Sequence, residues 1–300
     1  MRQFFHEHFL GILLSLTFCA IAFQSLGNHA LLNWDEGIYA QVAKESLHSP
    51  FDFHYFGEPW HEKPPLFIWF TQAGLLLFGV SEFSLRFWVP LFAAGTMFTT
   101  YLITKKLFSR EQAAVLTAAA FFICEQFILN SFFLDIDIQL TFFITLAIYF
   151  AIKATEHPIY WKWFWVVLAL AVLTKNVVGL LPLVYATILL ITHKQCKSIK
   201  TKPFWNGLRI FTLLILPWHI WQTYLYGTAF WKNYLFYHVF ERAITGIENN
   251  GAPFWFYLDI FLQNNLLLLL TTVSFIYFGI KIFRSRTHRF VLLCTIFTFF

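Results

Sequence analysis

The sequence predicts an all-α polytopic membrane protein, and three observations carry that prediction. Hydrophobic residues fill 58% of the 300 positions and charged residues only 12%, which excludes an ordinary soluble domain and a disordered chain alike. Apolar runs of bilayer-crossing length recur near 9–27, 81–104, 112–130, 138–153, 161–174, 176–192, 206–225 and 258–280. The loops between them segregate their charge, with basic residues in alternate loops and carboxylates in the others.

Taking these in order, the first run follows Arg2 and lacks a small-residue cleavage pattern before Asn28, so it is expected to stay in place as a signal anchor. A further apolar run begins near residue 290 and stops at Phe300, as expected of a span cut short. The expectation is at least eight complete transmembrane helices in one domain covering 1–300, with juxtamembrane helices in a first outer loop at 28–80 and a second long outer loop at 226–257.

Charge sets the topology. Lys105, Lys106 and Arg110, then Lys153 and Lys162, then Lys194 to Arg209, then Lys281 to Arg289 mark the loops that the positive-inside rule makes cytoplasmic. With Arg2 they hold 15 of the 21 Lys and Arg beside three acids, Glu7, Glu111 and Glu156, while the outer segments hold six cations and 13 acids. The amino terminus is therefore expected inside, and the net charge of +5 reflects membrane orientation, with no nucleic-acid partner. The same rule keeps Leu66–Phe78 from spanning, since a crossing there would send Lys105, Lys106 and Arg110 outward. That stretch is also short, and Trp69 and Phe70 suit a headgroup boundary.

Every candidate chemical group falls in or beside the outer segments. Asn33 and Glu36 have the spacing of a capping box, and Trp34, Ile38, Val42 and Leu47 recur at helical spacing, predicting a short amphipathic helix on the membrane surface. Its start places Asp35 and Glu36 where backbone N–H groups keep carboxylates ionised. Such an acidic pair also simply stabilises many helix starts. Prolines stiffen the segment Gly57 to Leu66, which holds Glu62 and Lys63 at the membrane edge. Lys63 at the membrane edge and Lys175 between two apolar runs read either as anion-binding groups or as side chains snorkelling to headgroups. Asp135 and Asp137 flank a helix start that they would also cap. Arg242, near His238 and Glu241, either grips a phosphate in bidentate fashion or forms a surface ion pair. The four cysteines have no paired spacing, so neither a disulfide framework nor a cysteine zinc site is expected.

Asp35-Glu36, Gly57 ahead of Glu62-Lys63-Pro64-Pro65-Leu66, Phe78-Gly79 followed by Arg86, Asp137 to Thr141, Leu173-Thr174-Lys175 with Gly179, and Pro217-Trp218 leading to His238 and Arg242 together resemble the GT-C membrane glycosyltransferases. More narrowly they resemble the bacterial branch of aminoarabinose transferases and relatives of dolichyl-phosphate-mannose–protein mannosyltransferases. The resemblance runs from about Trp34 to Tyr257. It implies a GT-C fold in a bacterial inner membrane and transfer of a sugar, with inversion, from a polyprenyl-phosphate donor to a lipid, glycan or protein acceptor at the outer face.

By that resemblance Asp35 is the base for the acceptor, with Glu36 and Asp137 in supporting catalytic roles, and Lys63, Lys175, Arg242 and Arg86 hold the donor phosphate. Glu62 and His238, together with one of the aspartates, would make an oxygen-and-imidazole set suited to a divalent Zn, Mn or Mg ion, which some members use. One departure stands out: aminoarabinose transferases tend to carry arginine just before the tyrosine that follows the acidic pair, and here that position is Ile38. The competing class is a transporter or flippase of lipid-linked sugar precursors, which would place its charges at mid-depth and show repeat symmetry.

Overall fold

The computed structural model describes residues 2–32, 34–241, 272–274, 276, 277, 280 and 285–299. Within them the chain is a helical bundle. Helices α1 (Arg2–Glu7) and α2 (Phe9–Phe23) lead to α3 (Asp35–Glu45), followed by a minimal hairpin, β1 (His54–Tyr55) and β2 (Glu58–Pro59). Helices α4 (Pro65–Phe78), α5 (Glu82–Arg86), α6 (Trp88–Phe108), α7 (Glu111–Ala120), α8 (Glu125–Asn130), α9 (Ile136–Ala154), α10 (Tyr160–Lys175), α11 (Leu181–Thr192), α12 (Lys202–Trp231) and α13 (Arg286–Phe299) complete it.

Among the described residues, three stretches are long and apolar enough to cross a membrane: Glu82–Phe108, Ile136–Ala154 and Tyr160–Thr192. The last is two helices. Asn176 leaves helical geometry (φ 46°, ψ −129°), and a Cβ added to Gly179 would stand 2.4 Å from the carbonyl carbon of Ala171. Residues eight apart in one helix would lie about 12 Å apart, so the chain turns back between α10 and α11, as the separate runs 161–174 and 176–192 predict. The run 112–130 instead breaks into α7, a 3₁₀ turn and α8, with extended backbone at Cys124. The run 258–280 lies mostly outside the described residues, and α12 covers 206–225.

The main core is formed by α6, α9, α10 and α12 around Phe92, Met97, Phe143, Trp161, Phe164 and Leu168. Small residues bring these helices close: a Cβ on Gly207 would lie 2.9 Å from the carbonyl oxygen of Trp161. A second core lies under the first loop, where Tyr39, Val42 and Ala43 of α3 meet Phe53, Trp60, Phe67 and Ile68. Helix α4, at 14 residues about 21 Å long, is too short for a crossing and buries one face against α3. There the Gln72 amide donates to the Ser46 carbonyl at 2.8 Å.

Charge segregation along the bundle follows the sequence. The end of α6 carries Lys105 and Lys106, paired with Glu111 at 2.5 Å and Glu156 at 2.6 Å. Its 21 residues put this end about 30 Å from Arg86 and the first-loop carboxylates.

Two expectations for the loops are corrected. Helix α3 turns Glu36, Tyr39, Ala40, Val42 and Ala43 inward; of the expected apolar face Val42 is buried and Ile38 and Leu47 pack half-buried on the same core, while Trp34 is exposed. An interior ion pair on Glu36 fixes this face, so the polar residue points in. Of the expected capping box, Asn33 lies outside the described residues; the cap of α3 is Trp34, without a side-chain hydrogen bond, and the Glu36 carboxylate accepts from Leu32. The segment from 226 is no loop at its start, because α12 runs to Trp231 and a π-helical stretch follows over Lys232–Glu241. Within it Gly227 breaks the helix (φ 54°, ψ −130°).

Candidate active site

The site begins with a buried ion pair. Arg86, at the end of α5, donates from Nε to Glu36 Oε1 at 2.7 Å and from one Nη to Oε2 at 2.9 Å. Its remaining N–H groups go to the carbonyls of Leu26, His29 and Ala30 at 2.8, 2.9 and 3.1 Å. All five donors of the guanidinium are thus filled. Glu36 also accepts from the backbone N–H groups of Leu32 and Leu134, each at 2.7 Å. Burial alone would raise this carboxyl; the guanidinium and the two amides overcome it and hold its pKa below the ordinary value.

This geometry corrects two assignments. Arg86 has no N–H left for a phosphate and is 1% exposed, so it cannot hold the donor. Glu36, at 4% exposure with both oxygens engaged, is a fixed anchor with no lone pair free for proton transfer. What the pair does is stitch the end of α2, the start of α3 and the approach to α9 into one unit.

Beside that unit lies a cavity of about 1060 Å³. Asp35, Glu62, Lys63, Asp135, Asp137, Lys175 and His238 all line it, gathered from α3, the loop before α4, the start of α9, the end of α10 and the π-helical stretch. Lys63 pairs with Glu62, and Lys175 with Asp137 across the α9–α10 hairpin. Asp135 caps α9, its Oδ1 accepting from the Asp137 N–H at 2.6 Å. Burial first, then the neighbouring carboxylates Asp137 and Asp35, push its carboxyl up to about 6, against the opposing Asp137 N–H and Lys175. Tyr39 is buried on the same wall. Burial, and then Asp35, Glu62, Asp137 and Asp135, keep its phenol protonated.

A second cavity of about 630 Å³ adjoins this one. It runs between α10 and α12, its wall includes Ile215, Leu216, Ile220 and Leu235, and it shares Asn176 and Val177 with the charged cavity. Asn176 is a site residue with no signal in the sequence. It holds a backbone conformation uncommon for any residue but glycine, and its amide donates to the Tyr234 carbonyl at 3.4 Å, tying the turn after Lys175 to the segment that carries His238.

The loop before α4 is strapped to α12. The Tyr226 hydroxyl donates to Asp52 at 2.6 Å, the Gln222 amide donates to the Phe51 carbonyl, and the His61 ring packs on Tyr226 at 4.5 Å. These contacts hold Glu62 and Lys63 in place.

Among the described residues, no three His, Cys, Asp or Glu side chains stand close enough to hold a metal ion. Glu62 and His238 both line the charged cavity, and no step below runs through a metal. Arg242 lies outside the described residues.

The family model for dolichyl-phosphate-mannose-protein mannosyltransferases matches residues 62–221. An uncharacterized protein of Aquifex aeolicus is 32% identical over 210 residues, covering 69% of this chain and 47% of that protein. An undecaprenyl phosphate-α-4-amino-4-deoxy-L-arabinose arabinosyl transferase of Pseudomonas savastanoi is 25% identical over 260 residues, covering 83% of this chain and 48% of that protein. Among solved structures, ArnT from Cupriavidus metallidurans bound to undecaprenyl phosphate superposes with a TM-score of 0.79 at 19% identity, over 96% of this chain and 55% of that one. That likeness establishes the fold, and the chain spans about half the length of the curated relatives it matches. With its apolar helices and a family match over more than half its length, the chain is an integral membrane protein that belongs to the dolichyl-phosphate-mannose-protein mannosyltransferase family.

Proposed function

We propose that the protein is a glycosyltransferase that takes a sugar from a polyprenyl-phosphate carrier and passes it to an acceptor hydroxyl at the outer face of a bacterial inner membrane. The observation that carries this reading is the junction of a lysine- and carboxylate-lined cavity with an apolar one at Asn176 and Val177. A lipid-linked phosphate sugar has that same division, a polar head on a long hydrocarbon.

In this reaction the acceptor oxygen forms a bond to the anomeric carbon, and the carbon–oxygen bond to the phosphate breaks with its electron pair. Asp35, exposed at the cavity rim and without an ion-pair partner among the described residues, orients the acceptor and draws on its proton. Lys63 and Lys175 stabilise the departing lipid phosphate; their present partners Glu62 and Asp137 hold the ammonium groups in the cavity until the donor arrives. The relatives' names favour an undecaprenyl-phosphate carrier.

The test is release of polyprenyl phosphate from a panel of polyprenyl-phosphate sugars by the purified protein in the presence of mixed outer-membrane and periplasmic acceptors, wild type against Asp35→Asn. Release that the substitution abolishes, with undecaprenyl phosphate still bound, supports the transferase. Donor binding without release from any sugar would favour a transporter.

A further inference from the structure

Five carboxylates line the charged cavity, and three are committed: Glu36 to Arg86, Glu62 to Lys63 and Asp137 to Lys175. Asp35 and Asp135 remain without an ion-pair partner among the described residues. They differ in setting. Asp35 stands exposed at the start of α3, whereas Asp135 is half-buried between Leu134 and Ile136, one oxygen fixed by the Asp137 N–H. Both are held by one clamp, since Asp35 adjoins Glu36 and Asp135 adjoins Leu134, whose N–H binds Glu36.

We propose that Asp135 is a second catalytic residue of this cavity, the carboxylate on which the acceptor's proton comes to rest. The proposal builds on the glycosyl-transfer reading above. As the acceptor oxygen bonds to the anomeric carbon and the phosphate departs with its electron pair, the hydroxyl proton, drawn on by Asp35, passes to the free oxygen of Asp135 and later to water. Asp35 aligns the nucleophile; Asp135 keeps its proton.

The groups that line the cavity with Asp135 are Asp35, Glu36 and Tyr39 from α3, Glu62 and Lys63 from the loop before α4, Lys175 from α10, His238 from the π-helical stretch, and Asp137 on its own helix, and of these Asp137, Lys175 and Asp35 act on its charge. Tyr39, kept protonated, contributes no charge, and Lys175 is drawn to Asp137. Burial beside like charges gives Asp135 a proton affinity close to the working pH, where a general base is most effective. Because its pKa is raised to about 6, the accepting, ionised form is present above that pH and lost below it.

Asp135 also caps α9, and a cap alone would explain an aspartate here. Asparagine caps a helix as well as aspartate does but cannot accept the proton. The experiment is the pH profile of polyprenyl-phosphate release, from the donor sugar that wild type uses and in the presence of the same acceptors, for wild type, Asp135→Asn and Asp135→Glu, with undecaprenyl-phosphate affinity and thermal melting measured on each. Expected are a wild-type acid limb near pH 6 and a loss of about 100-fold in rate for Asp135→Asn, whose limb moves to lower pH. Donor affinity and melting stay unchanged, and Asp135→Glu regains rate and limb. A wild-type rate and profile in Asp135→Asn, with Asp35→Asn inactive, overturns this proposal and leaves the transferase reading standing. No release by wild type from any donor overturns both.

Discussion

Arg86–Glu36 and Lys175–Asp137 are both cation–carboxylate pairs at the same end of the bundle, and they are built oppositely. The first is sealed at 1% and 4% exposure with every guanidinium N–H filled, whereas the second is open at 29% and 53% and has no such network. Lys63–Glu62 falls between, at 14% and 21%. Arginine's rigid fork suits the saturated position, and lysine's compact head on a flexible stem suits one that must change partners. Burial and hydrogen-bond saturation thus separate the charge that holds the site from the charges available to a substrate.

The largest break in that comparison is Arg86→Ala. It leaves Glu36 buried and unpaired, and a loss of about 3–5 kcal/mol is expected, read as a large drop in thermal melting in detergent or failure to accumulate in membranes. Lys175→Ala should barely move melting, since open pairs contribute about 0–1 kcal/mol. Undecaprenyl-phosphate affinity should instead fall about 10- to 100-fold, as expected for a lost charged hydrogen bond; an unchanged affinity would remove Lys175 from the donor site.

Acid should act on the sealed pair through Glu36. Its folded-state pKa is depressed, so its contribution is present above the ordinary value of 4.5 and is lost as pH falls below that through the folded value. Melting followed from pH 6 downward should decline in that window, and Glu36→Gln should flatten the decline. The smallest effect concerns the hairpin. Phe56 and Gly57 both have positive φ (51° and 81°), and Glu45 accepts from both backbone N–H groups, at 2.9 and 2.6 Å. Asparagine tolerates that conformation and favours this turn, so Phe56→Asn should raise stability by about 1 kcal/mol without altering transfer.

Much of this arrangement was legible in the sequence. Loop charges separate Lys105 and Lys106 from Asp35 and Asp137, and the residues that carry the family resemblance are mostly those around the charged cavity. Arg86 was misread because its partners lie 50 to 60 residues away and three of them are backbone carbonyls, which leave no mark on residue identity. The inward turn of Glu36 on α3 was missed for the same reason, since hydrophobic periodicity assigns a glutamate to the outside. The hydrogen bond from Asn176 to Tyr234 and the helical continuation past Tyr226 depend on packing between α10, α12 and the segment after them, which local pattern does not encode.

The contacts that fix the first loop also set an order of assembly. Glu36 must wait 50 residues for Arg86 and 98 for Leu134, and Asp52 must wait 174 for Tyr226. At a synthesis rate of about 5–20 residues per second, the last interval is roughly 9–35 seconds. During that time the loop bearing Glu62 and Lys63 would stand with its strap to α12 unmade, open to proteases and to any chaperone that meets it there.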